Sequence, residues 1–217
     1  MKPKLIIMAL LCAVSWRCYA QTEKGTGFAG ISLSFGTSKQ NNSSPSLNTF
    51  TVTPRGGYFL ANNFAIGLEI PLNLSKLRGE SYTKWDEEEG GYKDVNGIKE
   101  FSFGFSPFLR KYVDVKERFK FFVQANLLLQ INTFNRIDSE GYLVRTDARA
   151  KGFGASLSPG FAYMLSNDSS IEFSFPILSF FHQNYYAEES LYNFDKKNNL
   201  RLALDNFTPT FTVNIHF

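Results

Sequence analysis

The stretch TPTFTVNIHF (residues 208–217) decides how the chain is read. Its even positions, Thr208, Thr210, Thr212, Asn214 and His216, are polar, and its odd positions, Pro209, Phe211, Val213, Ile215 and Phe217, are apolar. Successive side chains of an extended strand point to opposite faces, so this alternation predicts a strand with one apolar face and one polar face.

Working outward, the same period recurs in seven earlier segments. Their apolar faces run through Ile31, Leu33 and Phe35; Phe50, Val52, Pro54 and Tyr58; Phe64, Ile66, Leu68, Ile70, Leu72 and Leu74; and Phe101, Phe103, Phe105, Pro107 and Leu109. They continue through Phe121, Val123, Leu127, Leu129 and Ile131; Phe153, Leu157, Pro159, Phe161 and Tyr163; and Ile171, Phe173, Phe175 and Ile177. None of these positions is charged. The opposite face collects Ser, Thr, Gly, Asn and Gln with a few charges, among them Arg55, Glu69, Arg110 and Glu172.

The connections alternate as well. Residues 61–63, 113–118 and 166–170 are short, whereas 36–48, 75–98, 133–150 and 183–206 are long and polar. All short connections therefore fall at one end of the sheet and all long ones at the other. Thr53-Pro54, Ser106-Pro107, Ser158-Pro159 and Thr208-Pro209 recur every 50 to 53 residues, each in the second strand of a hairpin. The repeating unit is a hairpin used four times.

Residues 1–20, MKPKLIIMALLCAVSWRCYA, have the parts of an export signal: Lys2 and Lys4, an apolar run from Leu5 to Val14, and Cys18-Tyr19-Ala20 as a small-x-small cleavage site. The expected domain organisation is a signal peptide over 1–20 and one β-barrel domain over 21–217. Without the signal the chain carries 20 basic and 20 acidic residues and no cysteine. That balance argues against a nucleic-acid partner and excludes disulfides and thiolate chemistry.

Two arrangements satisfy eight two-faced strands. A soluble lipocalin-like ligand-binding barrel turns its Phe and Leu face inward. A transmembrane barrel turns that face to lipid and fills its interior with small and paired polar groups. Strands of about ten residues fit a tilted crossing of the hydrocarbon layer, and the asymmetry of the connections is that of bacterial outer-membrane barrels. Tyr58, Phe59, Phe64, Tyr112, Phe119, Phe121, Tyr163 and Phe217 cluster near the short-turn end, as an interfacial aromatic girdle would. The predicted fold is all-β: an eight-stranded antiparallel up-and-down transmembrane β-barrel.

The signal, GYFLANNFAIGLEI (residues 57–70), FGFSPFLRKYV (residues 103–113), LSPGFAYML (residues 157–165) and Phe217 together resemble the small bacterial outer-membrane β-barrels of the porin family, similar in architecture to the OmpA transmembrane domain. The resemblance implies a monomer in the cell outer membrane, surrounded by outer-membrane lipid and lipopolysaccharide. It also implies a structural or surface-interaction role through the long extracellular loops, with a narrow small-solute channel as the alternative. Phe217, with Ile215 and Val213, is similar to the C-terminal signal read by the outer-membrane assembly machinery, although Ile215 stands where a second aromatic is usual and Thr212 where glycine is.

Charges inside so narrow a barrel must be paired, because an isolated ion in low dielectric destabilises the fold. A three-residue turn at 61–63 sets Arg55 opposite Glu69 and predicts their salt bridge. Glu172 and His216, near the short-turn end of the last two strands, form the second expected pair. Arg110, beside Gln124 and Asn126, extends this lumenal network, which reads as a structural plug more readily than as an ion path.

No catalytic, cofactor-binding or metal-binding motif is recognisable, and an enzyme is not expected. His182 lacks the nearby serine that lipid chemistry at the rim would need. The stretch KWDEEEGGYKD (residues 84–94) carries five acids from Asp86 to Asp94 without EF-hand spacing, which suits a solvated loop better than a cation site. Tyr82, Trp85 and Tyr92 beside it would suit contact with an extracellular glycan or protein.

Overall fold

A computed structural model describes residues 22–39, 46–86, 91–138, 143–186, 197–202 and 209–217. Among these lie eleven strands: β1 Gly27–Lys39, β2 Ser46–Ala61, β3 Phe64–Glu69, β4 Leu72–Asp86, β5 Gly91–Lys116 and β6 Phe119–Asp138, then β7 Leu143–Met164, β8 Ser169–Ser174, β9 Leu178–Tyr186, β10 Lys197–Leu202 and β11 Thr210–His216. They occupy eight positions in one antiparallel sheet, because β3 and β4 are consecutive parts of the third, β8 and β9 of the seventh, and β10 and β11 of the eighth. The sheet closes where β11 pairs with both β8 and β1, Phe211 opposite Leu33 and Ile215 opposite Ala29. Closure removes the open edge that hydrocarbon cannot tolerate.

The alternation is realised with the apolar face outward. Along β5, Phe101, Phe103, Phe105, Pro107 and Leu109 are exposed while Ser102, Gly104, Ser106, Phe108 and Arg110 between them are buried. Leu127 is 62% exposed and Phe211 60%. The lipocalin-like arrangement, which needs these side chains inside, is therefore excluded.

The strands run farther than the hydrophobic pattern indicates. Segments read as long polar loops are partly paired, β4 reaching Asp86 against Gly91 of β5 and β6 reaching Ile137 against Leu143 of β7. Beyond the apolar band both faces of a hairpin can be wet, so the alternation disappears while the backbone ladder continues. The third and seventh positions, read as unbroken, are instead interrupted at residues 70–71 and 175–177.

Those interruptions explain how the prolines are tolerated. A proline has no N–H to give to the ladder. The Ile70 N–H donates to the Pro54 carbonyl at 2.9 Å and Phe175 N–H to the Pro159 carbonyl at 3.3 Å, leaving the reciprocal donor missing at the break itself. Pro107 falls in the gap of the β5–β6 ladder between Phe105↔Leu129 and Phe108↔Asn126, and Pro209 immediately precedes β11.

The first turn is tighter than the three residues expected. Ala61 pairs with Phe64, a bulge follows Phe59, and Asn63 adopts φ 63°, a left-handed conformation that asparagine accepts more readily than most residues. Turn and bulge together have the parity of a three-residue loop, and Arg55 still lies opposite Glu69.

Inward-facing aromatics reach the barrel interior over glycines. Phe28 is registered against Gly57, Phe108 against Gly67 and Phe122 against Gly160. A Cβ at Gly57 would lie 2.5 Å from Phe28 Cζ and 2.8 Å from the Ile66 carbonyl oxygen. Since the carbonyl cannot rotate away, Gly57→Ala is expected to cost about 1–3 kcal/mol by overpacking, measured as a lowered urea midpoint of the barrel in micelles. An unchanged midpoint would show that the ring layer yields.

Candidate functional site

The lumen contains the only concentration of buried charge among the described residues, and it is built from strands distant in sequence. Arg55 on β2, Arg110 on β5 and Glu172 on β8 have side chains 3%, 1% and 1% exposed. Their positions on the inward phase bring them together near the barrel axis.

Glu172 is the centre of the network. Its carboxylate accepts from Arg110 Nη1 at 2.7 and 2.8 Å, from the Tyr112 hydroxyl at 2.9 Å and from Arg55 Nη1 at 3.4 Å. Arg110 also donates through Nη1 to the Tyr112 oxygen at 2.7 Å and through Nε to Gln124 Oε1 at 2.7 Å. That amide oxygen takes a further hydrogen bond from Arg55 Nη2 at 3.0 Å. Arg55 lies 3.5 Å from Glu69, whose two oxygens accept from Gln124 Nε2 at 3.0 Å and Asn126 Nδ2 at 2.7 Å. Two arginines and two carboxylates thus balance, as buried ions require, and Gln124 and Asn126 supply further partners, although Arg55 Nε is left without a hydrogen bond.

The expected pairing of Glu172 with His216 is not present. On neighbouring strands Glu172 faces Thr212 of β11 and Ala162 of β7, and His216 lies four residues farther along β11. His216 Nε2 instead meets the Ser170 hydroxyl at 2.9 Å, with the rings of Phe28 and Phe59 at 5.9 and 6.4 Å. Ser170 and His216 are buried under those rings, 0% and 4% exposed, so the pair ties β8 to β11 and offers no path to a substrate.

Beneath the ions lies an aromatic layer, and two of its members depart from the sequence expectation. Phe59 and Tyr112, expected in the outer girdle, are 0% and 1% exposed and point inward. With Phe28, Phe108, Phe122, Ala65, Ala162 and Met164 they form the buried apolar cluster. Phe122 supports Arg110 at 4.2 Å from its ring centre and Phe108 supports Arg55 at 5.0 Å, so the layer holds the guanidinium groups by cation–π contact as well as by packing. The signal was present: these aromatics occupy the polar phase of their strands, and Phe28, Phe59, Phe108 and Phe122 are registered beside Gly57, Ala65, Gly67 and Gly160.

A third layer closes the short-turn end. The Asn63 N–H donates to the Thr22 carbonyl at 2.8 Å, and Thr22 Oγ1 donates to Asn63 Oδ1 at 2.6 Å. Lys120 donates to Thr22 Oγ1 at 2.9 Å and pairs with Asp114. On the other side of the ions lies a polar cavity of about 210 Å³, lined by hydroxyls including Ser32, Thr51, Thr53 and Ser156, with Arg55 and Glu69 also in its wall.

The remaining expectations are placed as follows. Val213, Ile215 and Phe217 are exposed on the outward face of β11. His182 also faces outward, 5.1 Å from the Phe153 ring, while Ser179 of its own strand lies on the opposite phase beside Ser156. The acidic stretch lies outside the described residues at 87–90, and among the described residues no group of three His, Cys, Asp or Glu side chains comes together to hold a metal.

No protein-family model matches the chain, and no curated protein matches it in sequence. Solved structures do match in shape. The outer membrane protein OprG from Pseudomonas aeruginosa superposes with a TM-score of 0.50 at 12% identity, over 92% of this chain and 99% of that one. Outer Membrane Protein W of E. coli has a TM-score of 0.42 at 15% identity over 90% and 99% of the two chains, and Neisserial surface protein A 0.38 at 13% over 89% and 96%. Together with the closed sheet and its outward apolar face, the likeness to OprG establishes the architecture: the chain has the fold of the small bacterial outer-membrane β-barrels.

Proposed function

We propose that the protein is an integral outer-membrane barrel with a closed lumen, acting as a structural element or through surface contacts made at its long-connection end. Residues 1–20 serve as the export signal, the short turns face the periplasm, and Phe217 with Ile215 and Val213 engages the assembly machinery. An extracellular glycan or protein is the partner class suited to Tyr82, Trp85 and Tyr92.

One observation carries this reading: the wall turns large apolar side chains outward while ions, rings and the Thr22 layer fill the interior in succession. A belt of that kind suits lipid, and an eight-stranded interior has room for side chains and little else.

Conductance across a planar bilayer tests it. The refolded full mature chain is expected to insert and to add no steady current above the bare bilayer. A stable ohmic conductance would overturn the closed lumen in favour of the narrow small-solute channel, whose path would have to pass Arg55, Glu69 and Arg110.

A further inference from the structure

From the ions toward the long-connection end, the inward side chains become small and stay polar. On β2 they are Thr53 and Thr51, on β1 Ser32 and Ser34, and on β7 Ser158 and Ser156. The ladder sets them in rows: Ser34 has Thr51 on one side and Thr210 on the other, and Ser32 has Thr53 and Thr212. Ser158 and Ser156 are registered against Gln124 and Asn126 of β6. An eight-stranded interior is ordinarily filled by side chains. Since β6 fits Gln124 and Asn126 at this level, the cavity of about 210 Å³ follows from the serines and threonines on the other strands. It has room for roughly seven waters at ~30 Å³ each, which is the space of a single monosaccharide ring.

The chemistry of the wall narrows what fits. A hydroxyl both donates and accepts, so a lining dense in hydroxyls is met in full only by a ligand whose groups do both. Glu69 sets the charge. Its side chain is 15% exposed, against 3%, 1% and 1% for Arg55, Arg110 and Glu172, and it stands in the cavity wall. Gln124 Nε2 and Asn126 Nδ2 each take one acceptor position on its two oxygens, whereas a carboxylate offers about four. The remaining lone pairs accept from a hydroxyl or an ammonium and repel an anion.

We infer that this cavity is a binding site for a small polyol of monosaccharide size, entered from the long-connection end. The ions, the rings and the Thr22 layer close it below, so the site is a cup and not a passage. Hydroxyls of the ligand donate to Glu69, and others exchange hydrogen bonds with Thr51, Thr53 and Ser156. Each ordered water carries its own immobilisation cost; one polyol replaces several waters with hydroxyls already joined to a single frame. An ammonium on the ring strengthens binding through Glu69, and a carboxylate weakens it.

Equilibrium dialysis tests the site, using the refolded mature barrel in a detergent without a sugar head group and radiolabelled glucose, glucosamine or glucuronate. Saturable binding of one molecule per barrel is expected, tightest for glucosamine and weakest for glucuronate. The double variant Thr51→Val, Thr53→Val keeps the wall's volume and removes two hydroxyls, so glucose should bind about tenfold more weakly, the loss of two neutral hydrogen bonds. Should that variant fail to fold, Ser156→Ala removes one hydroxyl from the facing wall and should weaken glucose severalfold. Thr37→Val, exposed and outside the cavity, keeps wild-type binding. Glu69→Gln should abolish the preference for glucosamine over glucose. Absence of saturable binding would leave the cavity to water and overturn the inference, as would unaltered glucose binding in the folded hydroxyl variants or tightest binding of glucuronate. Escape of entrapped glucose from vesicles bearing the barrel would instead overturn the closed lumen proposed above and leave the binding site standing.

Discussion

Replacing Glu172 by alanine is expected to destabilise the folded barrel by about 3–5 kcal/mol, the range seen when one partner of a buried ion network is removed. The carboxylate is the one group that Arg55, Arg110 and Tyr112 all contact. Without it two guanidinium groups, with side chains only 3% and 1% exposed, face each other with Glu69 alone to balance them. Glu69 binds Arg55 at 3.5 Å and is more exposed, at 15%, so Glu69→Gln should cost clearly less than Glu172→Ala. Urea unfolding of the three proteins in the same micelles decides the matter. Equal losses for the two substitutions would mean that the network has no centre. A double variant, Glu172→Met with Arg110→Met, should recover part of the loss, because removing both members of a buried pair is less costly than stranding one.

Arginine at Leu127 or Phe211 is the second large effect, with an expected cost of about 2–4 kcal/mol in a lipid bilayer. These side chains are 62% and 60% exposed, so the substitution creates no steric clash and leaves the lumen untouched. The penalty arises from placing a guanidinium in hydrocarbon, and it is therefore expected to shrink for positions nearer either interface. Thr37→Arg, beyond the apolar band on β1, is the matched control and should change little. Stability in vesicles, compared across the three variants, would count against a membrane orientation if all behaved alike.

Much of this architecture is legible in the chain alone, and specific residues show where legibility stops. The alternation from Phe101 to Arg110 identifies both faces of β5, and the turn at 61–63 sets Arg55 opposite Glu69 because parity in a hairpin is a local property. Tyr112 and Phe59 depart from the sequence expectation because an aromatic near a turn suits an interfacial girdle as well as a lumenal plug. Their phase on the strand separates the two, and phase at a strand end is altered by bulges such as those after Phe59 and Asp114. Segments such as 75–86 look like loop in the sequence because hydrophobic period reports a difference between two solvents, and that difference vanishes where both faces can meet water.

What the sequence by itself determined is therefore the strand period, the identity of the two faces, the hairpin unit and the end at which the short turns gather. Each of these depends on residues close along the chain. Only the tertiary structure decided which lumenal charges meet across the barrel. Glu172 has Thr212 and Ala162 as ladder neighbours, yet its carboxylate bonds Arg110, 62 residues away, and Arg55, 117 away. Closing eight strands into a ring directs inward side chains from all of them toward one axis. Contact there is set by height and reach across the lumen, which no pairing of adjacent strands specifies.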